Sequence, residues 1–120
     1  MLAVPSLTAE PAAKKSPMLG KLRHVVLLKY KDGTSEQQVK ALENSFRELP
    51  SKIPTIIGFE WGTNNSPEGR ADGFTDCFLV TFKDAEGRAV YLPHPAHKAF
   101  VEELMPHLDK VLVIDYVAKD

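Results

Sequence analysis

Leu22-Arg23-His24-Val25-Val26-Leu27-Leu28-Lys29-Tyr30 decides the fold. The run is β-branched and aliphatic, so it reads as a strand. A strand sends alternate side chains to opposite faces. One face takes Leu22, His24, Val26, Leu28 and Tyr30, and the other takes Arg23, Val25, Leu27 and Lys29. Both sets are largely apolar, and a strand apolar on both faces is covered on both. In a chain of 120 residues, one of those covers falls to another subunit.

Downstream, Lys31-Asp32-Gly33 is a turn, and Thr34 with Gln37 stands in capping-box position at a helix start. Val39, Leu42, Phe46 and Leu49 mark one helical face, leaving Glu36, Lys40, Glu43 and Arg47 to water. Pro50 and Pro54 end this helix. Residues 55–63 read as a second strand, 64–73 as a polar loop and 74–82 as a third strand. The third strand puts Asp76 in line with Phe74, Phe78, Val80 and Phe82, and Cys77 with Leu79 on the other side. A carboxylate on so apolar a face needs a partner or water. Residues 83–92 form a short helix weakened by Gly87, 95–107 a second helix, and 110–117 the last strand.

The order β-α-β-β-α-β is the split βαβ arrangement, an α+β, ferredoxin-like fold. It has a four-stranded antiparallel sheet with helices on one face. The first and third strands are then neighbours, which predicts that Asp76 lies within hydrogen-bond reach of a histidine, His24 first and His97 second, or of ordered water. The helix-covered face also takes Val26, Leu28, Val111, Val113 and Asp115. The opposite face, with Val25, Leu27, Cys77, Leu79, Leu112 and Ile114, is too apolar for water. The expected cover is a second copy of the chain, giving a homodimer whose two sheets close into a barrel-like core.

Chemistry concentrates in Tyr91-Leu92-Pro93-His94-Pro95-Ala96-His97, which holds two of the four histidines. Pro95 suits the first position of a helix, because its missing N–H is not needed there. His97 then falls in the first turn, in line with Phe100, Leu104 and Leu108. An inward imidazole at that place is either a packed core residue or a site. Burial and the positive end of the helix dipole both keep it neutral, the form that accepts a proton. His94 reads as a helix cap, and His107 as a solvated residue near a helix end. His94 and His97 with no third ligand in the helix are a weak metal signal, so no metal or other cofactor is expected.

Composition narrows the classes. The net charge is −1, with no basic stripe for nucleic acid. Cys77 is alone, which excludes an internal disulfide and a multi-cysteine metal site. No apolar run approaches the ~20 residues that span a bilayer, so no membrane partner is expected. Residues 1–21 carry prolines and alanines without periodicity and read as a flexible leader ahead of one domain at 22–120. The leader lacks the basic and apolar regions of a signal peptide. The default compartment is the cytoplasm, with an exported form after signal removal left open.

From about residue 22 to 118 the chain resembles the stress-responsive dimeric α/β-barrel (Dabb) family. The matching stretches are His24-Val25-Val26-Leu27-Leu28-Lys29-Tyr30, Phe59-Glu60-Trp61-Gly62, Gly73-Phe74-Thr75, Val80-Thr81-Phe82, Tyr91 to His97, and Val113-Ile114-Asp115-Tyr116. The resemblance implies a ferredoxin-like homodimer with a small-molecule cleft between sheet and helices. One branch of the family is similar to a plant polyketide cyclase. By that likeness His97 is a general base, Tyr91 holds the substrate, and His24 lies in the cleft. Val26, Leu28, Phe46, Asp76, Phe78, Phe100, Val111 and Val113 would complete its lining. The pattern is departed from at Asp76, where the cyclase has histidine, and at Phe46, where it has tyrosine. Two classes of function follow: a homodimer that binds a small hydrophobic ligand, and a cofactor-free cyclase, isomerase or lyase acting beside a carbonyl.

Overall fold

The computed structural model describes residues 14–120. The first part of the expected leader, residues 1–13, lies outside the described residues. Its last part is tied to the fold. Residues 16–21 form a turn, and the Gly20 N–H donates to the Ala118 carbonyl at 2.9 Å while Ala118 donates back to Lys21 at 3.0 Å.

The elements run β1 (Leu22–Tyr30), α1 (Glu36–Arg47), α2 (Leu49–Lys52), β2 (Ile56–Thr63), β3 (Asp76–Phe82), α3 (Ala85–Tyr91), α4 (Pro95–Leu104), a 3₁₀ turn (Met105–His107) and β4 (Leu108–Val117). The sheet order is β2-β3-β1-β4, with every neighbouring pair antiparallel. This is the ferredoxin-like, α+β arrangement, with β1 and β3 in the middle and β4 at an edge.

Local chemistry sets several boundaries away from the sequence expectation. Helix α1 is capped by Ser35, whose hydroxyl accepts from the Gln38 N–H while the Gln38 side chain accepts from the Ser35 N–H. Thr34 cannot cap, because its hydroxyl donates to the Lys31 carbonyl and closes the preceding turn. Pro50 does not only end α1; it sits in the first turn of α2, where its missing N–H does no harm. Asp84 caps α3 through the Gly87 N–H. His94 caps α4, its Nδ1 accepting from Ala96 at 3.0 Å.

The core lies between the sheet and the helices. Phe46 of α1 stacks on Phe78 of β3 at 4.2 Å, Trp61 of β2 lies parallel to Phe78 at 5.3 Å, and Phe100 of α4 closes on Phe46 at 4.7 Å. Leu28, Leu42, Leu49, Ile53, Val80 and Phe82 fill in around them. Each such side chain contributes about 1.5–3 kcal/mol on burial. The helices therefore cover β2, β3 and β1. They leave β4 bare: Val111 and Val113 face the helix side, yet they are 48 % and 49 % exposed. Leu112, Ile114 and Tyr116 are exposed on the opposite face, beside the half-buried Val25, Leu27 and Leu79.

Candidate functional site

The site forms where α3 hands the chain to α4. Tyr91 is the last residue of α3 and is only 1 % exposed. Its carbonyl accepts from the His94 N–H at 3.1 Å, and that turn directs the Leu92 carbonyl at the first turn of α4. There the Leu92 oxygen lies 2.9 Å from Nδ1 of His97. A carbonyl only accepts, so Nδ1 carries the proton of the neutral ring and Nε2 keeps its lone pair. Burial, and after it the neighbouring His24 and His94, hold the His97 pKa below the usual imidazole value, with the Leu92 bond opposing them in part. The ring is therefore neutral at pH 7 and basic at Nε2.

Tyr91 and His97 lie with ring centroids 4.3 Å apart. Burial, and then the charge of Asp115, push the Tyr91 phenol far above its usual value, so it remains a hydrogen-bond donor. Among the described residues its hydroxyl has no partner within hydrogen-bonding distance. The edge of Tyr91 also meets His24, 5.6 Å away. His24 is 6 % exposed, and its Nδ1 is 2.7 Å from Oδ1 of Asp115. The other Asp115 oxygen accepts from Nη1 of Arg88 at 2.7 Å. One carboxylate thus ties β1, β4 and α3 together under the site.

The expected His24–Asp76 pair does not form. The ladder places His24 opposite Val80 on β3 and Asp115 on β4, while Asp76 lies opposite Leu28, a strand length away. Asp76 is not near His97 either. It is 2 % exposed and accepts from the Tyr30 hydroxyl at 2.7 Å. Glu43 is half-buried rather than fully solvated, and burial first, then Asp76, push its carboxyl up to about 7. So the expected site residues divide. His24, Tyr91 and His97 come together. Val113, and beyond it Val111 at the level of Leu28, form an open apolar strip that leads away from them along β4. Val26, Leu28, Phe46, Phe78 and Phe100 are packed in the core.

Arg88 was not singled out from sequence, although it stands three residues before Tyr91 on one helix. Asp115 was placed on the right face but given no partner. Among the described residues no three His, Cys, Asp or Glu side chains converge as metal ligands. A cavity of about 630 Å³ lies elsewhere, on the face away from the helices, lined by Leu27, Glu60, Cys77, Leu79, Leu112 and the loop after β2.

Residues 22–118 match the model of the Stress responsive A/B Barrel Domain. Stress-response A/B barrel domain-containing protein HS1 of Arabidopsis thaliana is 39 % identical over 97 residues, 81 % of this chain and 89 % of that protein. Olivetolic acid cyclase of Cannabis sativa is 29 % identical, covering 82 % of this chain and 97 % of that one. Among solved structures, hydroxynitrile lyase from Passiflora edulis superposes with a TM-score of 0.79 at 28 % identity, over 87 % of this chain and 97 % of that one. A dimeric, ferredoxin-like protein from Bacteroides fragilis superposes with a TM-score of 0.67 at 27 % identity, over 83 % and 98 % of the two chains. The chain belongs to the stress-responsive A/B barrel family.

Proposed function

We propose that this member of the stress-responsive A/B barrel family is a homodimer that binds a compact carbonyl compound beside Tyr91 and His97 and moves a proton on it without a cofactor. One observation carries the reading. His97 has its Nδ1 committed to the Leu92 carbonyl and its Nε2 free, 4.3 Å ring to ring from a buried tyrosine whose hydroxyl lacks a protein partner. Among the described residues the Tyr91 hydroxyl is not one of the buried polar atoms without a partner, so it reaches the surface and is free to donate to a ligand there.

In this reading the Tyr91 hydroxyl donates to the ligand's carbonyl oxygen. Nε2 of His97 removes a proton from the adjacent carbon. The electron pair is delocalised as an enolate on the oxygen that Tyr91 holds. The imidazolium then returns its proton to the product, whether the enolate is reprotonated or closes on a second carbonyl. For a hydroxynitrile the same base takes the hydroxyl proton, the bond to the nitrile carbon breaks, a carbonyl forms, and the cyanide takes the proton. Two relatives named as a cyclase and a hydroxynitrile lyase support chemistry of this class. His24, Val111 and Val113 contact the ligand, while Val26, Leu28, Phe46, Phe78 and Phe100 support them from the core and Asp76 stands apart. The filled interior favours a short ligand lying on β4 over a long chain threaded between sheet and helices.

The face with Val25, Leu27, Leu79, Leu112 and Ile114 closes on a second copy. The support is its exposed apolar surface, which no described helix covers, and the dimer described for a structural relative. A second reading, ligand binding without catalysis, is favoured by the dense Phe46–Phe78–Phe100 packing. A thermal-shift screen of short ketones, diketones and hydroxynitriles tests the site. A ligand at about 100 times its Kd stabilises by about 2.7 kcal/mol. Hits should raise the wild-type Tm and lose that shift in Tyr91→Phe and His97→Ala. Hits that stabilise all three proteins equally bind elsewhere and refute the placement.

A further inference from the structure

We infer that Arg23 of β1 pairs with the partner's Glu60 across the homodimer, twice about the two-fold axis, and that this double pair makes the outer sheet face select a second copy of this chain. The inference rests on the homodimer proposed above and names the charges that choose the partner.

Residues directly opposite one another on a ladder share a face of the sheet. On the face away from the helices, Arg23 stands level with Thr81 of β3 and Tyr116 of β4. Glu60 stands one row further on, level with Leu79 and, beyond it, Val25. Both charges border the apolar centre of the face, and neither has a counter-charge. Nε of Arg23 is, among the described residues, the one buried side-chain nitrogen or oxygen without a hydrogen-bond partner. A buried donor without an acceptor is rare and costs free energy. None of the ion pairs among the described residues includes Arg23 or Glu60. The other cations on or beside this face are accounted for. Lys29 and Lys110 already hold Asp109 and Asp72, and Arg70, in the loop after β2, stands in water. Within one copy β3 runs between Arg23 and Glu60.

Glu60 also lines the cavity of about 630 Å³ on this face, with Leu27, Cys77, Leu79 and Leu112. Its charge reaches across that hollow: burial first, and Glu60 second, push the Cys77 thiol above its usual value. Once a second sheet closes over the hollow, the carboxylate loses its water and needs a cation from the covering surface.

Two-fold symmetry supplies that cation. In an isologous interface, any contact of one residue with another is repeated with the copies exchanged. With the axis running between the sheets along the central strands, β1 of one copy lies over β3 of the other. Arg23 then stands over the partner's Thr81, one strand and one row from the partner's Glu60. Packed sheets lie about 10 Å apart, a gap that an arginine and a glutamate close by reaching toward each other. The forked guanidinium fits a carboxylate, and the orphaned Nε gains its acceptor. A different apolar sheet that lacks either charge would leave a buried ion unpaired, and so is rejected.

The test uses two charge reversals of the full chain, Arg23→Glu and Glu60→Arg, alone and mixed. Sedimentation equilibrium measures the homodimers, and native mass spectrometry counts the heterodimer. Each reversal alone sets like charges against each other. Its dimer should be weaker by about a hundredfold or more, from two pairs each worth roughly tenfold. In the mixture one chain brings two glutamates and the other two arginines, so both pairs form again. The heterodimer should approach wild-type strength and exceed both homodimers. Coexpression makes the same comparison if either reversal folds poorly alone. Reversals that dimerise like wild type, or a mixture with a statistical share of heterodimer or none, overturn the inference. A wild type that stays monomeric overturns the homodimer itself, whereas a wild-type dimer indifferent to both reversals overturns the ion pairs alone.

Discussion

Replacing Asp115 by alanine should remove about 2–3 kcal/mol of stability, and the structure says where that comes from. The carboxylate accepts from His24 Nδ1 and from Arg88 Nη1, each at 2.7 Å. The His24 side chain is 7 % exposed, so its N–H is left buried without an acceptor, which costs about 1–3 kcal/mol. The Arg88 side chain is 32 % exposed and returns to water, so its share is at most about 1 kcal/mol. At roughly 4–8 °C per kcal/mol for a domain of this size, Asp115→Ala should melt about 8–24 °C lower. Arg88→Met should cost no more than about 1 kcal/mol, and the double variant little more than Asp115→Ala alone, because the Arg88 contact acts only through Asp115. Asp115→Asn keeps an oxygen for the His24 N–H and should fall between wild type and alanine. The assay is equilibrium urea unfolding at fixed protomer concentration, reading the midpoint at constant m. An Arg88→Met variant as damaged as Asp115→Ala would refute the division, as would an Asp115→Ala loss under about 0.5 kcal/mol.

Phe46→Ala should cost about 3–5 kcal/mol in the same assay, since it empties a ring stacked on Phe78 and packed on Phe100; a loss under about 1 kcal/mol would mean that the core closes over the gap. Leu27→Asp should break association and lower stability together, read by light scattering and unfolding; a wild-type chain that scatters as a folded monomer at high concentration contradicts the dimer. The His97 ring protons should titrate below the usual imidazole value of 6.5, because burial disfavours the cation. The stability tied to His97 is then present above that value and lost as pH falls through the folded pKa, and a ring still protonated at pH 7 would refute this.

Strand facing was legible in the sequence, and strand register was not. Alternation places Val26 and Leu28 in the core and Val25 and Leu27 on the other face, as in the structure. Period two says nothing about sliding along the neighbour, so Asp76 seemed available to His24 although the ladder sets it opposite Leu28. Facing also does not report cover: Val111 and Val113 point the right way, but they lie on an edge strand that the helices do not reach. Two hydroxyl residues in a row, Thr34 and Ser35, offered two helix starts, and only the turn geometry chose between them. Glu43 reads as solvated because it borders the buried stripe of α1, where the side chain's direction decides how much of it the core covers, and the structure leaves it half-buried. The Tyr91–His97 pairing was legible because Pro95 fixes where α4 begins, and so how far His97 stands from the end of α3.

The most direct measurement is the rate of deuterium exchange at the carbon beside the carbonyl of a short diketone, followed by proton NMR in deuterated buffer with wild type and His97→Ala. Proton transfer by a positioned side chain contributes about 10²–10⁴-fold. Wild type should exceed buffer by that order, rise with pH through the His97 titration, and fall to near the buffer rate in a folded His97→Ala. Equal exchange by the two proteins, or a wild-type rate no faster than buffer across the ketones and diketones that bind, would contradict the account.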